Sequence, residues 1–363
     1  MRYATALDVG DRKRSDGINE DSVAVMAFED GHREGYQGRR RDNAATAGDG
    51  SDRPANRGVA VFALADGAGG YDAGDVASYV ASTVVVEELA TVGLRAARSD
   101  PGAFDVELEA PLPDRLSAVD AQAAIDEAIQ IAHRQILSYA EASDQAAMST
   151  IVAGVAVDGE LHYGWVGDSR AYVLNRPHER VEQLTRDHSV VADLVEADEL
   201  DPVEAQVHPR GNEITNALGG HPGDGAEAST VPVETHTVPC YAEDVLLVTS
   251  DGLIDAQTDA RDLHEQYLAA DRDEDAAEAV REAVVTDAEI AETVFEAPTL
   301  QTAADDLVAL ANGRGGKDNV STLLLADDAF PETPAASRLP VRAIDPDEDV
   351  EDRHTVIVPD EDA

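Results

Sequence analysis

Five places in the chain set an acidic side chain at a turn or beside an apolar run: Glu20 with Asp21, Asp66 with Gly67, Asp168, Asp251 with Asp255, and Asp318. Carboxylate and carbonyl oxygens are what hard divalent cations select. Asp66 ends the apolar run VFALA, and Gly67 follows, where the missing Cβ lets bare backbone come close to an ion. Asp255 lies four residues after Asp251, so a helical turn starting there would place both on one face. No cluster of cysteine and histidine ligands accompanies these acids, which points to Mg²⁺ or Mn²⁺ rather than zinc or copper. Gathered in one pocket they would need cations to neutralise them, or several would protonate. The competing reading is that a very acidic chain has acids at its turns, and spacing alone leaves both open. Ahead of Glu20 run Arg12, Lys13 and Arg14, either an ordinary charged hairpin loop or a grip for a phosphate dianion.

The elements that would carry these residues are mostly strands. Apolar clustering or alternation marks Arg2–Val9, Ser22–Phe28, Val61–Ala65, Ser149–Val157, Leu161–Val166, Arg170–Leu174, Asp244–Ser250 and Val320–Ala326. Asp318 precedes its strand where Asp66 and Asp251 follow theirs, as alternating chain direction in an antiparallel sheet requires. Helical spacing covers Val76–Gly93 and Leu116–Ala142, with two further helical stretches between Asp259 and Asn312. Trp165 reads as core, His133 as a half-exposed helix residue, and His188 and His208 as loop hydrogen-bonders.

The 363 residues are 43% hydrophobic, enough for a sizeable core, and carry a net charge of -47 with Lys13 and Lys317 as the only lysines. Such a surface repels nucleic acid and anionic membranes. It suits a high-salt cytoplasm, where screening relieves the self-repulsion. Cys240 is the sole cysteine, which excludes an intrachain disulfide and a thiolate metal cluster. No apolar signal segment opens the chain and no run reaches membrane-spanning length, so the expectation is a soluble, cytoplasmic, monomeric protein. Residues 29–57 read as a polar loop insertion and 329–363 as an acidic, proline-containing disordered tail, with no structure expected at Thr355–Val358.

The order of the motifs resembles the metal-dependent protein serine/threonine phosphatases of the 2C type, in their bacterial and archaeal form. The matching pieces are NEDS with Arg14 ahead of it, ADGAGG at 65–70, ST at 149–150 and VGDSRAY at 166–172. LTRDHSVV at 184–191, HPRGNEITNALGG at 208–220, LLVTSDGLIDA at 246–256 and GGKDNVSTLLL at 315–325 complete the series. The resemblance covers about residues 1–328 as one catalytic domain. It implies an α+β fold, a four-layer α-β-β-α sandwich of two antiparallel sheets flanked by helix pairs, with the metal site at one end. It implies two Mg²⁺ or Mn²⁺ ions, Asp66 bridging them and Gly67 giving its carbonyl, Glu20 serving one ion and Asp251 and Asp318 the other. Asp168 and Asp255 fall where a third ion could sit, and Asp21 would hydrogen-bond the metal's water. The implied activity is hydrolysis of phosphoserine and phosphothreonine in phosphorylated proteins by a metal-bridging hydroxide, a signalling role. The alternative is a silent regulatory module on the same fold.

Three departures stand out. Ser15–Ile18 lengthen the gap between arginine and the Asn-Glu-Asp triplet, so Arg14 is chosen for the phosphate with Arg12 as substitute. Ala68 stands where some relatives have a histidine that protonates the leaving group. Asn216 stands where relatives often have arginine.

Overall fold

The computed structural model describes residues 1–15, 17–28, 58–68, 73–96, 117–225, 229–344 and 356–357. The 29–57 insertion expectation therefore lies outside the described residues. The strands are β1 (Arg2–Asp8), β2 (Asp21–Phe28), β3 (Val59–Asp66), β4 (Ala147–Ser149), β5 (Ile151–Val157), β6 (Glu160–Val166) and β7 (Arg170–Asn175). They continue with β8 (Arg180–Gln183), β9 (Leu218–Gly220), β10 (Val233–Pro239), β11 (Asp244–Thr249), β12 (Val320–Ala326) and β13 (Val356–Ile357). One sheet runs β1-β12-β11-β7-β8, the other β13-β10-β6-β5-β3-β2, and β4 pairs β9 apart from both. Every pairing among them is antiparallel.

Side-chain alternation builds the layers. On β3, Phe62 and Leu64 face inward with Val152, Tyr163, Trp165, Val248 and Leu323, forming the core between the sheets. The intervening Val61, Ala63 and Ala65 face outward onto two helices, α1 (Gly74–Ala96) and α2 (Ala118–Ser143). A run buried on both faces has to be apolar throughout, and β3 is. On the other sheet Tyr172, Leu174, Leu247 and Leu324 face outward and meet residues of the C-terminal helices. The α+β four-layer sandwich follows, and Trp165 is core as expected.

Between the sheets' ends the chain makes a helical excursion of α3 (Val190–Glu196), α4 (Pro202–Ala205), α5 (Ala260–Ala269) and α6 (Glu274–Ala283), with its own small core of Val207, Tyr267, Ala277 and Val280. Then α7 (Asp287–Glu296) and α8 (Leu300–Arg314) close the outer layer. Four helices thus occupy 259–314 where two were expected. The breaks are local: Asp271 and Arg272 take positive φ, Thr286 and Glu289 form a capping box, and Thr299 caps α8.

Other expectations also need correction. Helix α1 is, by length and composition, long and apolar enough to cross a bilayer, although no run was expected to reach that length. Its Ala77, Ala81, Val85 and Leu89 are spent in the core instead. His133 is buried: its Nδ1 accepts from the Gly219 N–H at 3.0 Å and its Nε2 lies 3.0 Å from Ser229 Oγ. Residues 329–344, expected as the start of a disordered tail, pack on the domain. Arg342 is buried between Glu182 and Asp244, a cation whose removal from water requires such partners. Val356 and Ile357 pair with Glu234 and Val233 at the sheet edge, where no structure was expected.

Candidate active site

The acids converge because strands from both sheets end at the same place. On β2 and β3, Asp21 and Asp66 are register partners, and the Gly67 N–H donates to the Glu20 carbonyl at 3.0 Å. A Cβ on Gly67 would overlap the Gly74 carbonyl, and one on Gly252 would overlap the Asn319 carbonyl. Glycine after each aspartate is therefore what lets these backbones cross. The Asp66 backbone is pinned on both sides: its carbonyl accepts from Thr150 N–H at 2.8 Å and Ser149 Oγ at 2.9 Å, and its N–H donates to Thr150 Oγ1 at 3.1 Å.

From the other sheet, Asp251 begins a 3₁₀ turn after β11 and Asp318 stands just before β12, its antiparallel neighbour. The Asp255 N–H donates to the Asp251 carbonyl at 2.8 Å, the helical turn expected from the sequence. Asp168 occupies the β6–β7 turn, where its neighbour Gly167 is held by one backbone and one side-chain bond to His188: the His188 N–H donates to the Gly167 carbonyl at 3.0 Å and the Gly167 N–H to His188 Nδ1 at 3.1 Å. His188 is thus the loop hydrogen-bonder anticipated.

Electrostatics show how crowded the pocket is. Desolvation, then Asp21, Asp251 and Asp168, push the Asp66 carboxyl well above its usual range. Desolvation, then Asp168, Asp318 and Asp255, do the same to Asp251. Asp168 is pushed up to about 7 by desolvation and by Asp187. Glu20 and Asp255 are also raised, chiefly by desolvation, with Lys13 and Lys317 respectively opposing it. Asp21 Oδ2 accepts from Ser250 Oγ at 2.8 Å, whereas its buried Oδ1 finds no hydrogen-bond donor among the described residues. Acceptors facing acceptors need protons or cations between them. An all-oxygen donor set with an orphaned buried carboxylate oxygen fits hard divalent ions.

The chain's only two lysines both point here: Lys13 pairs with Asp318 and Lys317 with Asp255. Desolvation disfavours the Lys13 charge, yet Asp318, Glu20 and Asp66 outweigh it and raise its pKa. Arg14, chosen from the sequence for the phosphate, does not face the cluster. Its guanidinium is exposed and bonds Asp8 at 3.0 Å and Asp11 at 2.8 Å. The side chain of Arg12 is exposed as well. The three cations alternate around a turn, so only the middle one is directed inward, a geometry that spacing alone does not encode.

Glu20, Asp21, Asp66, Gly67, Asp168, Asp251, Asp255 and Asp318 are brought together. Sequence reasoning missed Asn319 and Ser250. The Asn319 Oδ1 accepts from the Glu20 N–H at 2.8 Å, and its Nδ2 donates to the carbonyls of Val9 and Ile18 at 3.1 Å each. It fastens the loop bearing Lys13 to the end of β12. The signal was its place in KDN beside Asp318.

The model of the protein phosphatase 2C family matches residues 49–285. This chain belongs to the protein phosphatase 2C family. It is 30% identical over 267 residues to the serine/threonine phosphatase stp of Listeria innocua, covering 73% of this chain and 83% of that protein. The solved Mycobacterium tuberculosis phosphatase PstP/Ppp superposes with a TM-score of 0.56 at 25% identity, over 90% of this chain and 98% of that one. The catalytic domain of PstP, solved with two manganese ions, has a TM-score of 0.53 at 24% identity, over 89% of this chain and 96% of that one.

Proposed function

We propose that this protein phosphatase 2C member hydrolyses phosphoserine and phosphothreonine monoesters in phosphorylated proteins, with Mg²⁺ or Mn²⁺ held by Glu20, Asp66, Gly67, Asp251 and Asp318. Asp168 and Asp255 are the ligands assigned to a third ion. The observation that carries the reading is the crowding of Asp66 with Asp21, Asp251 and Asp168, donated by both sheets to one pocket. A silent scaffold has no chemical need for that crowding.

Bound there, the ions would supply Lewis acidity, lowering the pKa of water and neutralising charge on the phosphoryl oxygens. Asp21, with one oxygen tied to Ser250 and the other open, is placed to accept a hydrogen bond from the attacking water and so orient it. Lys13 replaces Arg14 as the cation assigned to the phosphate; once Asp318 serves an ion, the Lys13 ammonium is available to a phosphoryl oxygen. With Ala68 where some relatives have a histidine, water or another acid has to protonate the departing alkoxide.

The net charge of -47 supports a high-salt cytoplasm and argues against nucleic-acid or anionic-membrane partners; a monomer is the simplest assembly. The test is phosphate release from phosphoserine and phosphothreonine peptides in molar KCl. Release with Mn²⁺, its loss with chelator and its absence in Asp66→Ala are expected. A protein that binds the phosphopeptide under these conditions and never releases phosphate overturns the reading. Unfolding followed against KCl checks the salt assignment, which equal stability in low and molar salt would refute.

A further inference from the structure

Outside the acidic pocket, the helical excursion brings together Glu204 on α4, His208 in the turn after it, and His264 on α5. Each offers one ligand atom, and these atoms lie within 4.8 Å of one another. We propose that Glu204, His208 and His264 bind one transition-metal ion of the Zn²⁺ class, which ties the 201–208 segment to α5.

The donor set is the first reason. Two imidazoles and one carboxylate are the ligands Zn²⁺, Co²⁺ and Ni²⁺ take, whereas Mg²⁺ prefers oxygen alone. Spacing is the second. Four-coordinate bonds of about 2.0–2.1 Å set ligand atoms roughly 3.3 Å apart, and His264 Nε2 lies 3.2 Å from Glu204 Oε1. The His208 and His264 rings meet edge to face, centroids 5.4 Å apart at 82°.

The surroundings already orient the ligands, as outer partners of metal sites do. Arg272 holds the other Glu204 oxygen, Oε2, at 2.8 Å from Nε and 2.7 Å from Nη2. Asp201 caps α4 through the Val203 and Glu204 N–H groups at 2.9 and 3.1 Å, and accepts from the Tyr267 hydroxyl at 3.0 Å. Two contacts would yield to the ion: His264 to Glu204, and the Arg210 N–H to His208 Nδ1 at 3.2 Å. Both are at the long end of the hydrogen-bond range, so exchanging them costs little.

Access is open. A depression of about 470 Å³, lined by Asp198, Glu199, Asp201, Glu204 and Arg272 among others, adjoins Glu204, and its acidic rim draws cations. The tied segment also touches the phosphatase pocket. Gln257 Nε2 donates to the Gln206 carbonyl at 3.1 Å and to Asp255 Oδ1 at 2.8 Å. An ion here would fix one wall of that pocket without entering it. The proposal stands apart from the phosphatase reading, and its failure would leave that reading untouched.

The test is Zn²⁺ and Co²⁺ binding to the full chain with the acidic pocket saturated by excess Mg²⁺. One equivalent should bind, the Zn²⁺ form should melt higher, and Co²⁺ should give the intense visible absorption of a four-coordinate nitrogen–oxygen site. Removing an outer partner typically costs 10–100-fold in affinity, so His264→Ala or His208→Ala should cost about 100-fold or more. Asp66→Ala should keep the binding. A merely structural cluster would lower the melting temperature in His264→Ala by the same amount with or without Zn²⁺. That result, unchanged binding in both histidine variants, or only the faint six-coordinate Co²⁺ spectrum in the unmodified protein overturns the proposal. The last measurement needs no variant to fold.

Discussion

Two groups of ligand-type side chains lie on either side of the Gln257 contact and are built on opposite plans. At the sandwich end, seven carboxylates from strand termini and turns face two lysines. In the helical excursion one carboxylate, Glu204, is shared between an arginine and a histidine, with a second histidine close by. The first group carries excess negative charge fixed by two hydrogen-bonded sheets, so its folded state stores repulsion that protons or metal cations relieve. The second is close to neutral and rests on short helices. A protein needs the first arrangement for charge-driven chemistry and the second only for holding a segment in place.

The largest test of that contrast is Asp66→Asn. Loss of the central acid should lower phosphopeptide turnover roughly a thousandfold or more, about 4 kcal/mol of barrier, since a metal's charge stabilisation is worth several kcal/mol. The same change removes a carboxylate that Asp21, Asp251 and Asp168 all repel. The metal-free variant should therefore melt above the metal-free parent. A variant that is both inactive and less stable without metal would mean that Asp66 is held by favourable contacts, and the stored-repulsion argument would fall.

Titration separates the two groups by sign. Asp168, raised to about 7 from an ordinary 3.8, keeps a proton in the folded chain that the unfolded chain has lost. The metal-free protein therefore loses stability as pH rises through that window, and at 1.36 kcal/mol per unit the ceiling is roughly 4 kcal/mol. His208 is lowered by desolvation and by His264, so below pH 6.5 the unfolded chain takes up a proton there more readily than the folded one. Its contribution disappears as pH falls below 6.5. Melting curves in EDTA from pH 4 to 8 should show Asp168→Asn flattening the decline towards neutral pH and His208→Gln flattening the decline towards acid. Parent-like profiles in both variants would show that neither group couples to folding as described.

Much of the sandwich end was legible beforehand because its physics is local. An aspartate at the end of an apolar strand, followed by a glycine that allows backbone crossing, is written in adjacent residues at both Asp66-Gly67 and Asp251-Gly252. What depends on which way a side chain leaves a turn was not written there: Arg14 turned to Asp8 and Asp11, and Lys13 went inward. Nor was the Arg342 pairing with Glu182 and Asp244, since those partners lie 160 and 98 positions before it, outside the acidic tract that hid it. The histidine group was equally hidden, because His208 and His264 meet only through packing of α5 and α6 on Val207.

The cations chosen by each group give the smallest and sharpest test. Lysine appears only at the acidic pocket, while the helical excursion uses Arg272, whose planar fork suits one fixed carboxylate. A compact ammonium on a flexible stem can instead exchange Asp318 for a phosphoryl oxygen. A charge-assisted hydrogen bond is worth about 1.5–3 kcal/mol, so Lys13→Ala should lower kcat/KM by roughly 10–100-fold. Arg14→Ala, which loses only exposed pairs with Asp8 and Asp11, should stay within about threefold. Lys13→Arg should recover part of the loss, because the charge returns but the longer fork must refit beside Asp318. Kinetics with one phosphothreonine peptide decide it: a larger loss for Arg14→Ala than for Lys13→Ala would return the phosphate to the arginine and leave Lys13 as a counter-ion.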